Sequence, residues 1–151
     1  MRDCFPADLP LVTVYRLLIE VRSLLSDRAV WTKAASARSP HNVPVDPETP
    51  RACQFCLTGA IQRVRAVSRE YPYQADATRP PLAVVLAVCS KALVSRIPPA
   101  NLTDLLNRSG EELADNPISV LQLYNDSGLV DHTHVMHLLD QTISELEYQL
   151  V

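Results

Sequence analysis

The chain has 151 residues, enough for one domain with a substantial core. Hydrophobic residues make up 47% and charged residues 21%, which excludes a disordered chain; no uncharged apolar run of about 18 residues occurs, which excludes a helical membrane span. The net charge of −3 is divided unevenly: residues 1–96 carry thirteen Lys and Arg against eight acids, and residues 97–151 carry Arg108 against nine.

The start, Met1 to Pro10, has no apolar stretch behind its basic residue. It reads as a tail and not as a secretory signal, so the expected location is the cytoplasm. Cys4, Cys53, Cys56 and Cys89 are then expected as thiols. Leu11, Val14, Leu18, Val21 and Leu25 fall at spacings of three and four, predicting a helix over 11–26. Trp31, the only tryptophan, follows it and is expected to bury against the next helix, with Thr32 and Lys33 at the surface. Residues 34–50 are polar and Pro-rich and read as a long ordered loop or short hairpin, long enough to bind something.

Thr49 as N-cap with Pro50 at the first position predicts a second helix running to Arg69. Cys53, Leu57, Ala60, Ile61, Val64 and Val67 would form its inner face, with Arg51, Arg65 and Arg69 on the outer one. Gly59 within a helix costs about 1 kcal/mol relative to Ala, and marks a place where another backbone comes close. Residues 82–97 are apolar nearly all round and predict the buried central helix of a bundle. Two shorter helices follow, one over 101–107 and one capped by Asn116 with Pro117 at its first position. The second ends at the turn signature Asn125-Asp126-Ser127-Gly128. Asp131 caps the last helix, which runs to about Leu150. The fold class is therefore all-α, a single domain of five to seven helices. The first and last helices each offer a face for a homodimer.

Two clusters could carry chemistry. Cys53 and Cys56 form a Cys-x-x-Cys, and His132, His134 and His137 follow near the end, so Cys53, Cys56, His134 and His137 count to a zinc site on paper. A pair in mid-helix is not the turn that zinc knuckles use, and core thiols with surface histidines is the favoured reading. A cysteine-dependent enzyme would use Cys56, with Asn125 or Asp126 as orienting groups. No Gly-rich phosphate loop, nucleophile elbow or metalloprotease motif is present, and no cofactor is implied. A pI near 5.7 and a basic cluster (Arg51, Arg63, Arg65, Arg69) without interleaved aromatics argue against nucleic-acid binding.

Several landmarks occur in order: Trp31-Thr32-Lys33-Ala34, Pro44-Val45-Asp46-Pro47, Cys56-Leu57-Thr58-Gly59-Ala60-Ile61 and Leu123-Tyr124-Asn125-Asp126. The order resembles a family of small uncharacterised bacterial and phage proteins. Phe55, Ala34 and Tyr124 depart from that pattern, which has Trp, Gly and Trp there. The resemblance implies a helical fold without an assigned activity, and a convergence of Trp31, Asp46, Cys56, Gly59, Asn125 and Asp126. The expected function is a non-enzymatic module that binds a partner protein, encoded by a phage or another mobile element. Trp31, Asp46, Arg51, Arg65 and Arg69 are its candidate binding residues.

Overall fold

The computed structural model describes residues 9–68, 80–109 and 116–151. Arg69 and the first eight residues of the expected tail lie outside them. The first helix, α1, spans Leu11–Leu24 and begins behind Pro10, whose carbonyl accepts the amides of Thr13 and Val14. Val14, Leu17, Leu18, Val21 and Leu25 are buried, whereas Leu11, Val12 and Ile19 stay exposed. The buried stripe keeps the predicted Val14, Leu18, Val21 and Leu25, and only Leu11 of that set lies outside it.

The next stretch differs most from expectation. Residues 34–56 hold two short antiparallel strands, β1 (Ala37–Arg38) and β2 (Gln54–Phe55), paired Ala37 to Phe55 and Arg38 to Gln54. The second helix, α2, spans Leu57–Val67, so it starts seven residues after the predicted first position at Pro50. Thr49 and Pro50 lie in a turn instead: the Ala52 amide bonds the Thr49 carbonyl, and the Cys53 amide bonds the Arg38 carbonyl. Pairing β2 with β1 buries Ala37 and Phe55, an apolar gain that extending the helix backwards would forfeit.

Helix α3 spans Leu82–Val94 and α4 spans Pro99–Ser109. Then come α5, Pro117–Asp126, and α6, His132–Leu150. The fold is mostly helical, with six α-helices among the described residues. Helix α3 is central, packing against α1, α2, α5 and α6. Val85, Cys89, Ser90 and Leu93 are buried on it, while Leu86, Val88 and Val94 are half-buried. Burial pushes the Cys89 thiol up to about 12, so it remains a neutral core group. Ser90 Oγ is buried with no hydrogen-bond partner among the described residues. Ser90→Ala removes that unsatisfied hydroxyl at little loss of volume. It is expected to raise stability by about 1 kcal/mol, read as a higher urea midpoint.

The caps of the last two helices form as predicted. Asn116 Oδ1 accepts the amides of Ile118 and Ser119. Asp131 and His134 form a reciprocal capping box, and the His134 amide holds the Asp131 carboxyl below its ordinary value. Helix α6 lies antiparallel to α1: Arg22 Nε sits 2.6 Å from Asp140 Oδ1, and the Tyr15 hydroxyl donates to Glu147 at 3.2 Å. Arg96 meets Glu145 at 3.4 Å. Part of the basic and acidic halves is therefore paired inside the fold. These pairs are exposed, so each contributes little beyond orientation.

Candidate functional site

The C-terminal end of α5 is where distant segments join. Asn125 is fully buried, and its side chain makes four hydrogen bonds. Its Oδ1 accepts Trp31 Nε1 at 2.7 Å and the Leu57 amide at 3.1 Å. Its Nδ2 donates to the Thr32 carbonyl at 3.1 Å and to Asp126 Oδ1 at 3.0 Å. One amide thus ties the segment after α1 to the first residue of α2. Asp126 Oδ1 also accepts the amide of Ala34, whose φ is 63°. Lys33 Nζ is bonded at 2.6 Å to the carbonyls of both Ser127 and Val130 and lies 5.5 Å from the Trp31 ring centre. Trp31 and Lys33 are half-buried among these groups; Trp31 bridges β2 at Phe55, and Lys33 is not the surface cation expected.

Cys56 stands at the N-cap of α2, not two turns into a helix. Its Sγ accepts the Gly59 amide at 3.3 Å and lies 3.2 Å from Thr58 Oγ1. Sulfur replaces the usual oxygen of a capping side chain. Cys56 is buried at 5% exposure and borders a shallow cleft of about 240 Å³ that Ser36, Gln122 and Asp126 also line. The backbone that approaches Gly59 belongs to Ser36. A Cβ at Gly59 would lie 1.9 Å from the Ser36 carbonyl oxygen, which also accepts the Cys56 amide.

The structure thus brings Trp31, Cys56, Gly59, Asn125 and Asp126 together. Asp46 serves its own turn: its exposed carboxylate accepts the Glu48 amide. The metal candidates are scattered in their roles. Cys53 is exposed beside the loop, Cys56 caps α2, His134 completes the cap of α6, and His137 borders an open groove near Ser95 and Pro99. Among the described residues no three His, Cys, Asp or Glu side chains are placed to hold one metal ion.

The arginines divide in the same way. Arg65, expected on the outer face of α2, is buried, and its Nε donates to the Pro80 carbonyl at 2.9 Å. Arg63 donates to the carbonyls of Pro47 and Thr49 and lies 5.7 Å from the Phe55 ring centre. Arg38, which sequence reasoning did not single out, bonds Thr32 Oγ1 and the carbonyls of Lys33 and Asn42. An isolated Arg in a polar loop gives no sequence signal for such bracing. Ser39 Oγ accepts the amides of His41 and Val43. These bonds hold the loop around a groove of about 450 Å³ lined by Pro40, His41, Val43, Pro50, Arg51 and Cys53. Val43 is half-exposed there, and Arg51 is exposed.

Comparison with curated proteins and with solved structures gives no match. A family model does match, over residues 9–145, and so takes in every described element from α1 to all but the last residues of α6. The chain therefore belongs to a family of unknown function, DUF6197.

Proposed function

We propose that the protein is a non-enzymatic protein-interaction module and that the 34–53 loop is its docking surface, with Val43 and Arg51 in the contact. The observation that carries this reading is the bracing of the loop. Strand pairing and the bonds from Arg38, Arg63 and Ser39 give it one shape before any partner arrives. A preordered surface loses less conformational entropy on binding than a floppy one. Exposed Val43, beside Pro40 and Pro50 on the groove lining, supplies an apolar surface for a partner's side chain. The test is capture from the native host with tagged wild type and Val43→Glu. The wild type is expected to enrich one partner about tenfold over Val43→Glu, the size expected for losing one buried apolar contact of about 1.4 kcal/mol. Equal capture by both proteins sinks the reading.

A second reading, a cysteine-dependent enzyme, is favoured by the cleft that Cys56 shares with Asp126. Against it, the sulfur is nearly buried and engaged as a cap, and Asn125 has no free hydrogen-bonding group for a substrate. Cys56→Ser keeps an acceptor at the cap and removes the thiol. The interaction-module reading expects the variant to retain full biological effect; loss of effect in a folded Cys56→Ser protein would revive the enzyme.

A further inference from the structure

We infer that the loop groove takes an acidic peptide segment of a partner protein: an apolar side chain against Val43, Pro40 and Pro50, with an adjacent carboxylate on Arg51. The inference rests on the reading of this loop as a docking surface and adds the chemistry of what docks there.

The argument turns on which charges are already committed. Arg38, Arg63 and Arg65 all donate to backbone carbonyls. Arg51 is exposed, and its guanidinium makes no hydrogen bond or ion pair within the described residues. The nearby acids are in use: Asp46 holds the Glu48 amide, and Glu48 accepts Gln62 Nε2 at 2.8 Å. Among the described residues no carboxylate lines the groove, and Arg51 is the one permanent cation that does. A free guanidinium presents a planar fork that fits a carboxylate with two parallel bonds. The His41 ring, on the same lining, adds a further donor.

The number of cations decides the class of anion. Phosphate-bearing motifs are held by clusters of arginines, and nucleic acids by many basic contacts along a backbone. One Arg beside an apolar floor suits a singly charged carboxylate next to an apolar side chain. The groove volume of about 450 Å³ is of the size that buries a small ligand or a few side chains. Prolines on both sides fix the floor, so an occupant orders little that is not already ordered.

The test is selection of short random peptides, displayed on phage, on the immobilised full chain. Enriched sequences are expected to carry Asp or Glu next to Leu, Ile, Val or Phe. A synthetic peptide from that set should bind Arg51→Gln about tenfold more weakly than wild type, the loss of one charge-assisted contact. Selection on Arg51→Glu should turn toward Lys and Arg. Val43 and Arg51 are exposed, so these variants are expected to fold, and circular dichroism checks that. Enriched peptides without a carboxylate, no enrichment at all, or equal binding by Arg51→Gln overturns the inference. A dimer that Val43→Glu abolishes in sedimentation would assign the groove to a second copy and also overturn it. A partner captured through Val43 but indifferent to Arg51→Gln leaves the docking surface standing and removes only the acidic peptide. Capture that is indifferent to Val43→Glu removes the docking surface itself.

Discussion

Gly59→Ala is expected to destabilise the protein by about 3 kcal/mol, even though Ala is the better helix former by about 1 kcal/mol. The added methyl would lie 1.9 Å from the Ser36 carbonyl oxygen. That atom is backbone and cannot swing aside as a flexible side chain would. Relief requires Ser36 to move away from α2, and its carbonyl also accepts the Cys56 amide at 3.1 Å. Next along the chain is β1, so the displacement also pulls at the pairing of Ala37 with Phe55. Urea unfolding followed by Trp31 fluorescence reads the loss, because Trp31 is the only indole and sits on the same junction. Gly128→Ala is the control. A Cβ there meets nothing within 4 Å, and the change is expected to stay within about 0.5 kcal/mol. Equal stability of Gly59→Ala and wild type would show that the close approach is not what fixes glycine at this position. Partner binding should weaken in Gly59→Ala as well, since Ser36 leads directly into the loop that holds the groove.

The same glycine shows where the sequence could be read and where it could not. A glycine inside an apolar helical pattern signals close approach, and that inference needs only local information. The identity of the approaching segment is a tertiary fact, and Ser36 carries no mark of it. The caps at Asn116 and Asp131 were legible for a similar reason: a capping side chain bonds amides two or three residues away. The start of α2 is not legible in the sequence because two local signals compete. Thr49-Pro50 is the stronger cap and first-turn pair on local grounds, and Cys56 is not a preferred capping residue. The outcome was decided by β1, which lies sixteen or more residues upstream of β2 and takes Gln54 and Phe55 into a ladder. Two-residue strands leave no alternating pattern to detect. The shift moved Cys56 from the middle of a helix to its N-cap and put Cys53 on the surface. The basic cluster on α2 failed for a different reason. Arg63 and Arg65 have loop carbonyls within reach, and an arginine beside such acceptors donates to them in place of standing out in solvent.

Asn125→Ala is expected to cost about 4 kcal/mol, at the upper end for a single substitution. Four bonds disappear, and two of the groups left behind are donors: the Leu57 amide at the first turn of α2 and the Trp31 indole N–H. The Leu57 amide has no intrahelical acceptor at that position. Leu57 itself is fully buried, so water does not reach its amide easily. The Thr32 carbonyl also loses its partner, and the segment from Trp31 to Ala34 then keeps Lys33 and Asp126 as its ties to the end of α5, beside its bonds to Phe55 and Arg38. Asn125→Asp separates hydrogen bonding from shape. It keeps an acceptor for Trp31 and Leu57 but turns the donor to Thr32 and Asp126 into a second carboxylate. A carboxylate at the fully buried position 125, in contact with the exposed Asp126, is disfavoured in its charged form by both burial and the neighbouring negative charge. The introduced acid therefore titrates higher in the folded protein than in the unfolded chain. Its protonated form keeps a donor and supports the fold at low pH, and that support is lost as pH rises through the folded value. The expected result is a variant whose deficit against wild type narrows on acidification, measured as paired urea midpoints across the acidic range. A deficit that is small and independent of pH would mean that Asn125 fills space at the junction and does not hold it together.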